Sequence, residues 1–564
     1  MSKAIERTPW KVLDAYRGKK FNGLWPTLPE LFDITTSRFG ERPCFTIYDP
    51  DRVSLTYQEA LVKIKAVARY LHGKGVRKGD AIAVTGKNSP EWTVAYLGVL
   101  YAGATVVPID YQLKNEETDL LLRTSKAKIL FVDEEKHKRY AENGEGLSEV
   151  VSLKKGVGVY IYDLNGEEAI IDPVTETDVA AILFTSGTTG VPKGVVLTHQ
   201  NLTADCFLAQ GHLQLYPTDV FYALLPIHHA YTMLAVFIET ISVGAELVFG
   251  KKMVTQVILK DLKQAKITML LGVPMLFNKV LAGVLRGLKA KGAIVYAVIS
   301  FLMEISGLIK KIFGVNPGKK MFGFVLDKAS LTTLRICICG GGPLAPSVFR
   351  KYNQLGLDFI QGYGLTETSP IITLNPIERY KETSVGKVLP QVDMKVLNPD
   401  ERGVGEIAVK GPMAMQGYFE MPEETKAAFT EDGYLKTGDV GYLDAENYLY
   451  LTGRAKNLIV TEGGKNVYPE EIENEFQLFD EIEQIMVRGF VLNKKMKTEG
   501  IEALVFPNAE VFKEQSADAV KVRIDAIISE VNQRLQPYQK ITRATILADR
   551  MEETTTKKIK RDAI

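Results

Sequence analysis

Apolar residues recur along this chain in two alternating registers. From Thr56 to Gly73 they fall at helical spacing, and from Ala81 to Val84 they run unbroken. Ser89 to Tyr101 reads as a second helix, Ala104 to Pro108 as a strand, and Ile129 to Val132 as another strand. Leu247–Phe249 and Met269–Pro274 continue the series. Short buried strands alternating with helices predict an α/β fold of stacked, mostly parallel sheets. After Leu451 the pattern changes. A polar knot, Gly453-Arg454-Ala455-Lys456-Asn457, is followed by roughly a hundred residues with their own strand (Ala503–Phe506) and helix (Ala519–Leu535). That is enough for a small α+β domain. The predicted division is a large N-terminal domain, residues 1–455, and a small mobile C-terminal one, residues 456–564.

Residues 284–320 interrupt the alternation. Ala293 to Met303 is almost wholly apolar, flanked by Arg286, Lys289, Lys291, Lys310, Lys311, Lys319 and Lys320. The run falls short of the roughly 20 residues that cross a bilayer, and Glu304 interrupts its extension. Two readings stay open: a buried core helix or helix pair with solvated ends, or a surface helix resting on a membrane.

With 564 residues the chain exceeds what one core fills, so several subdomains are expected. A net charge of +1 carries no global nucleic-acid signal. Met1 to Arg7 has no apolar core, so no signal peptide is expected. Four cysteines are too few for a disulfide scaffold. Cys337 and Cys339 sit in an apolar strand without a second ligand pair for a metal. A reducing, cytoplasmic compartment is the expectation.

The chemistry concentrates in a few loops. Thr185 to Gly194 reads T-S-G-T-T-G-V-P-K-G between two apolar strands. Its glycines let backbone N–H groups approach an anion, its hydroxyls donate, and Lys193 adds a mobile charge. It is not a Walker A loop, because Val191 and Pro192 separate Gly190 from Lys193 and a strand follows. The plain alternative is a flexible hairpin tip. Gly340-Gly341-Gly342-Pro343 follows a strand and can border a flat or anionic group, or simply turn the chain. In Gln361 to Thr368, Tyr363 can stack on a base or fill core, Thr366 can reach a phosphate, and Glu367 can hold a hard cation. Asp439, after Gly438, can accept from ribose hydroxyls or cap a turn. The basic tail, Lys557 to Arg561, reads first as solvated.

In this order, these segments resemble the adenylate-forming (AMP-binding) superfamily of acyl-CoA synthetases, adenylation domains and luciferases. The resemblance spans Leu55 to Arg561 and is strongest to the long-chain fatty acyl-CoA synthetases. It implies ATP and coenzyme A as co-substrates and Mg²⁺ as cofactor. By the resemblance, Thr185, Ser186, Gly187, Thr188, Thr189, Gly190 and Lys193 hold the β- and γ-phosphates. Gly341, Gly342, Pro343, Tyr363 and Gly364 surround adenine, and Thr366 touches the α-phosphate. Glu367 binds Mg²⁺, with Thr185 a second candidate, and Asp439 and Arg454 hold the ribose. His229 lies by the acyl carboxylate, Lys456 is the hinge, Gly463, Gly464 and Lys465 shape the thiol tunnel, and Lys558 meets the reacting carboxylate. Two positions depart from the family pattern. Lys557 replaces the glycine before the catalytic lysine, leaving Lys557, Lys558 and Lys560 as candidates; Lys558 is preferred because it directly precedes apolar Ile559. Asn457 stands where the hinge motif has aspartate.

The implied reaction makes an acyl-adenylate with release of pyrophosphate, then a thioester to coenzyme A. Tyr231 to Ile238 is a candidate acyl-tunnel wall or an ordinary buried helix. Transfer to acyl carrier protein and ligation of an aromatic acid are the enzymatic alternatives. A catalytically silent lipid-binding scaffold is the other, disfavoured by intact Lys193, Glu367, Asp439 and Lys558. Peripheral membrane contact, on the inner face, is expected from the 284–320 segment. A homodimer is allowed but not required.

Overall fold

The computed structural model describes residues 7–49, 51–167, 172–185, 192–461, 465–493, 498–553 and 559–561. Unbroken apolar runs form the centres of two sheets, as strands covered on both faces must. In the first, Met269–Gly272, Ile336–Cys339 and Asp358–Tyr363 pair in parallel. Val220–Ala223, Glu246–Phe249 and Pro43–Ile47 extend it on one side, also in parallel. Antiparallel strands from Thr373–Leu374 to Asp393–Leu397 extend the other side, giving 13 strands in all. The second sheet has seven strands centred on Ala81–Thr85, Thr105–Ile109 and Ile129–Val132. Lys193–Thr198 closes it antiparallel to Val179–Thr185, and Gly417–Tyr418 adds the edge. The sheets are thus parallel at their centres and antiparallel at their flanks.

Helices lie between and over the sheets. Tyr57–Gly73 and Pro90–Tyr101 start one residue inside the predicted spans because Thr56 and Ser89 are N-caps, accepting from the amides of Glu59 and Trp92. One core unites Ile82 and Val106 of the smaller sheet with Phe45, Leu247 and Ile336 of the larger. A separate core, from Ile459 to Ile541, joins the helix Ala517–Asn532 to a sheet of Ile482–Asn493, Thr498–Pro507 and Arg543–Ile546.

The 284–320 segment differs from the expectation. The helix outruns the apolar stretch: Ala293–Phe313 is continuous over 21 residues and carries Glu304 within it. Glu304 is exposed on the helix, where glutamate is a good helix former, and its carboxylate accepts from Gln354 Nε2 at 2.8 Å. By length and composition alone, the helix could cross a bilayer. One stripe (Ile299, Met303, Ser306, Lys310) is buried against the protein. The opposite stripe is exposed and apolar, with Ile294 81%, Phe301 67% and Ile312 61% accessible. It is therefore a surface helix, not a core helix. The basic flank is also smaller than it reads. Lys310 is buried and donates to Asn353 Oδ1 and Asp358 Oδ1, both at 2.7 Å, and Lys319 donates to the Leu334 carbonyl.

Candidate active site

A cavity of about 3130 Å³ lies between the sheets and the C-terminal core. Its wall includes Thr185, Lys193, His229, Gly341, Gly342, Pro343, Tyr363, Gly364, Thr366, Glu367, Asp439, Arg454 and Lys456. Residues separated by as much as half the chain thus face one space.

Thr185 and Lys193 are cross-strand partners at the ends of the antiparallel pair. Ser186, Gly187, Thr188, Thr189 and Gly190 lie outside the described residues, as do Gly463, Gly464 and Lys558. Lys193 Nζ sits 4.9 Å from the centre of the Tyr418 ring, a cation–π distance. The Tyr418 hydroxyl donates to Glu367 Oε1 at 2.9 Å. Tyr418 therefore joins the loop lysine to the acidic residue. Glu367 stands in a short 3₁₀ turn, Thr366–Thr368, just beyond the strand Asp358–Tyr363. Gly364 makes that exit possible, since a Cβ there would stand 1.7 Å from the Pro370 carbonyl oxygen.

Asp439 and Arg454 are paired across neighbouring antiparallel strands. Arg454 Nε lies 3.0 Å from Asp439 Oδ1, and the Tyr363 hydroxyl donates to Oδ2 at 2.6 Å. Burial, followed by the Asp439 charge, pushes the Tyr363 phenol well above its ordinary range, so it remains a donor. Gly341 has φ +78°, which favours glycine, and opens the turn after Ile336–Cys339. The C-terminal part docks here: Gln477 Nε2 donates to the Pro343 carbonyl at 2.9 Å, and its Oε1 accepts from the Ala345 amide at 2.8 Å.

His228 and His229 have ring centres 4.3 Å apart. His228 Nε2 is 3.5 Å from Asp110 Oδ2, an ion-pair distance too long for a good hydrogen bond. Burial pulls the Asp110 carboxyl up, but His228, the Gln112 amide and His229 outweigh it and hold it at about 2. Lys456 lies in the 3₁₀ turn Ala455–Asn457 between the two parts of the chain. Asn457 Nδ2 donates to Glu470 Oε1 at 2.6 Å, so asparagine makes a bond here that an ionised aspartate could not. Lys465 is exposed, and its carbonyl accepts from the Thr461 amide at 3.0 Å. The tail is not simply solvated. Arg561 contacts Glu473 at 2.5 and 2.6 Å, and Ile559 pairs with Glu553.

Such a wall, with lysine and arginine beside glycine turns and two carboxylates, suits a bound polyanion accompanied by a hard cation. The model of the AMP-binding enzyme family matches residues 32–419. The chain belongs to that family. It is an enzyme of the AMP-binding, acid–CoA ligase type. A feruloyl-CoA synthase from Amycolatopsis sp is 28% identical over 90% of this chain and 92% of its own length. A long-chain-fatty-acid–CoA ligase of Bacillus subtilis (strain 168) is 27% identical over 95% and 93%. ATP-bound MatB from Rhodopseudomonas palustris superposes with a TM-score of 0.75 at 26% identity, covering 95% of this chain and 98% of that one.

Tyr418, Asp110 and His228 were not legible as site residues. His228 directly precedes His229 in the chain. Tyr418 carries no motif, and only the edge pairing Tyr418 to Val195 brings it to the loop.

Proposed function

We propose that this enzyme activates a long-chain fatty acid as acyl-AMP and transfers the acyl group to coenzyme A. The observation that supports the chain is the apolar part of the cavity. Leu213, Phe221, Ala235, Met269 and Leu271 line it, continuous with Lys193, Glu367 and Asp439. The long-chain relatives point the same way. In this reading, residues 1–455 bind ATP and the acid, and residues 456–564 turn about Lys456 between the half-reactions. Thr185 to Gly190 and Lys193 hold the leaving pyrophosphate, Gly341–Pro343 and Tyr363 border adenine, and Asp439 with Arg454 holds the ribose.

In the first step, a carboxylate oxygen attacks the α-phosphorus as the bond to pyrophosphate breaks. Two anions meet, so Lys558 must offset their repulsion. Glu367 is a hard oxygen ligand suited to Mg²⁺, which supplies further charge neutralisation when bound. In the second step, the coenzyme A sulfur forms a bond to the acyl carbonyl and AMP departs. His229 orients the carbonyl, and Lys465 with Gly463 and Gly464 shapes the thiol path.

The test is ATP-dependent pyrophosphate release over a panel of carboxylic acids, with and without coenzyme A. Long-chain acids should drive release, with acyl-CoA accumulating when coenzyme A is present. Release driven only by ferulate or anthranilate would replace the long chain by an aromatic acid. Acyl-AMP without any acyl-CoA would make acyl carrier protein the acceptor.

The exposed stripe of Ala293–Phe313 supports a peripheral site on the cytoplasmic face of a membrane, with Lys289, Lys291 and Lys311 facing anionic headgroups. The protein should sediment with phosphatidylglycerol vesicles. Phe301→Ser combined with Ile312→Ser should abolish sedimentation while leaving pyrophosphate release with a soluble medium-chain acid unchanged. Unaltered sedimentation of that variant would remove the helix from the membrane reading.

A further inference from the structure

Glu239 is a buried acid that no step above uses. It is 4% exposed and follows Tyr231 and Ala235 at successive intervals of four residues, and all three line the cavity. The helix between them takes a π form over Met233–Ile238, a geometry that recurs at functional sites. Tyr231 is tied to the sheet, its hydroxyl donating to the Ile338 carbonyl at 3.1 Å. Ala235 is small and opens space, so the next group reached along this face is the Glu239 carboxyl.

The partners of Glu239 place it in an end wall. Gln210 Nε2 donates to Glu239 Oε2 at 2.7 Å and to Ser242 Oγ at 2.8 Å. Gln210 also lines a second cavity of about 210 Å³ beneath Arg7–Pro9. Leu213 and Leu215 line both cavities. The Gln210–Glu239 pair therefore stands in the partition between them, with Thr185, Lys193 and Glu367 elsewhere on the main cavity's wall.

A buried carboxyl is costly unless its bonding capacity is used, and Gln210 meets only one of its oxygens, Oε2. A methyl chain end laid against it would strip water and return no bond. Burial raises the Glu239 carboxyl to about 8, against the pull of Gln210 and Cys206, so near neutral pH it is largely protonated. It then donates as well as accepts. Asp205 is also fully buried nearby, its carboxyl raised chiefly by burial and further by Glu239, and its Oδ1 has no hydrogen-bond partner. Two such carboxyls disfavour a second carboxylate on the substrate and suit a neutral group that donates and accepts.

We propose that Glu239 is a specificity-determining residue that hydrogen-bonds a hydroxyl carried by the acyl substrate at the end remote from its carboxylate. The inference rests on the acyl-activation reading above and narrows its substrate to hydroxylated acids.

The experiment compares kcat/KM for pyrophosphate release within matched pairs. These are octanoate, dodecanoate and hexadecanoate, each against its ω-hydroxy form, and cinnamate against 4-hydroxycinnamate. The hydroxylated member of at least one pair should be preferred by about tenfold or more, the worth of one buried hydrogen bond. Glu239→Leu should abolish or invert that preference by raising use of the unsubstituted acid. Glu239→Gln, which keeps a donor and an acceptor, should retain most of it and guards against misfolding of the leucine variant. Equal use of both members of every pair by the wild type would overturn the inference while leaving acyl activation standing. So would a preference that survives Glu239→Leu. Failure of every acid to release pyrophosphate would overturn the acyl-activation reading and this inference with it.

Discussion

Lys558→Ala should lower acyl-AMP formation by roughly 10²- to 10³-fold, the scale of losing one preorganised charge at a reacting centre. Thioester formation from supplied acyl-AMP should stay within a few-fold of wild type. Of the residues that follow it, Ile559, Lys560 and Arg561 line the cavity, and Arg561 is held by Glu473. Burial raises the Glu473 carboxyl to about 7, with Arg561 opposing that rise. The reciprocal variant is Lys456→Pro. It fixes φ at one position inside the short turn Ala455–Asn457. Adenylation should then survive and thioester formation fail. Equal loss of both half-reactions in Lys558→Ala would remove that lysine from its assigned place, and normal turnover in Lys456→Pro would do the same for the hinge.

Asp439→Asn should raise the KM for ATP by about 10²-fold. Each hydrogen bond to a charged acceptor is worth roughly 1.5–3 kcal/mol, and the change removes the charge while keeping the shape. The readout that isolates the ribose role is a comparison of ATP with 2′,3′-dideoxy-ATP. Wild type should discriminate strongly, whereas Asp439→Asn should use the two almost equally well. If the variant still discriminates as wild type does, Asp439 acts only through Arg454 and Tyr363, which its two oxygens contact at 3.0 and 2.6 Å.

Much of the fold could be read from local pattern, because the signals act over a few residues. Thr56 and Ser89 cap the helices that their apolar spacing predicts. The apolar runs at 81–84, 129–132 and 336–339 became strands buried in a sheet. The apolar run from Ala293 to Met303 understates the helix, because the helix continues through polar Glu304 to Phe313. Gln354, which meets Glu304, lies 50 residues further on. Lys310 reads as a solvated flank until Asp358, 48 residues away, is placed beside it.

The sequence by itself determined the α/β alternation, the loops at Thr185–Gly194, Gly340–Pro343 and Gln361–Thr368, and the order that carries the family. These depend on neighbours in the chain, through φ freedom, capping and periodicity. Only the tertiary structure decided which loops share a wall. Tyr363 meets Asp439 across 76 residues, and Tyr418 meets Glu367 across 51. Sheet order, not residue type, sets those contacts. The same holds for Glu239: a lone glutamate in an apolar helix has no sequence signature of its own. Its place between two cavities follows from how that helix packs beside Gln210 and Leu213.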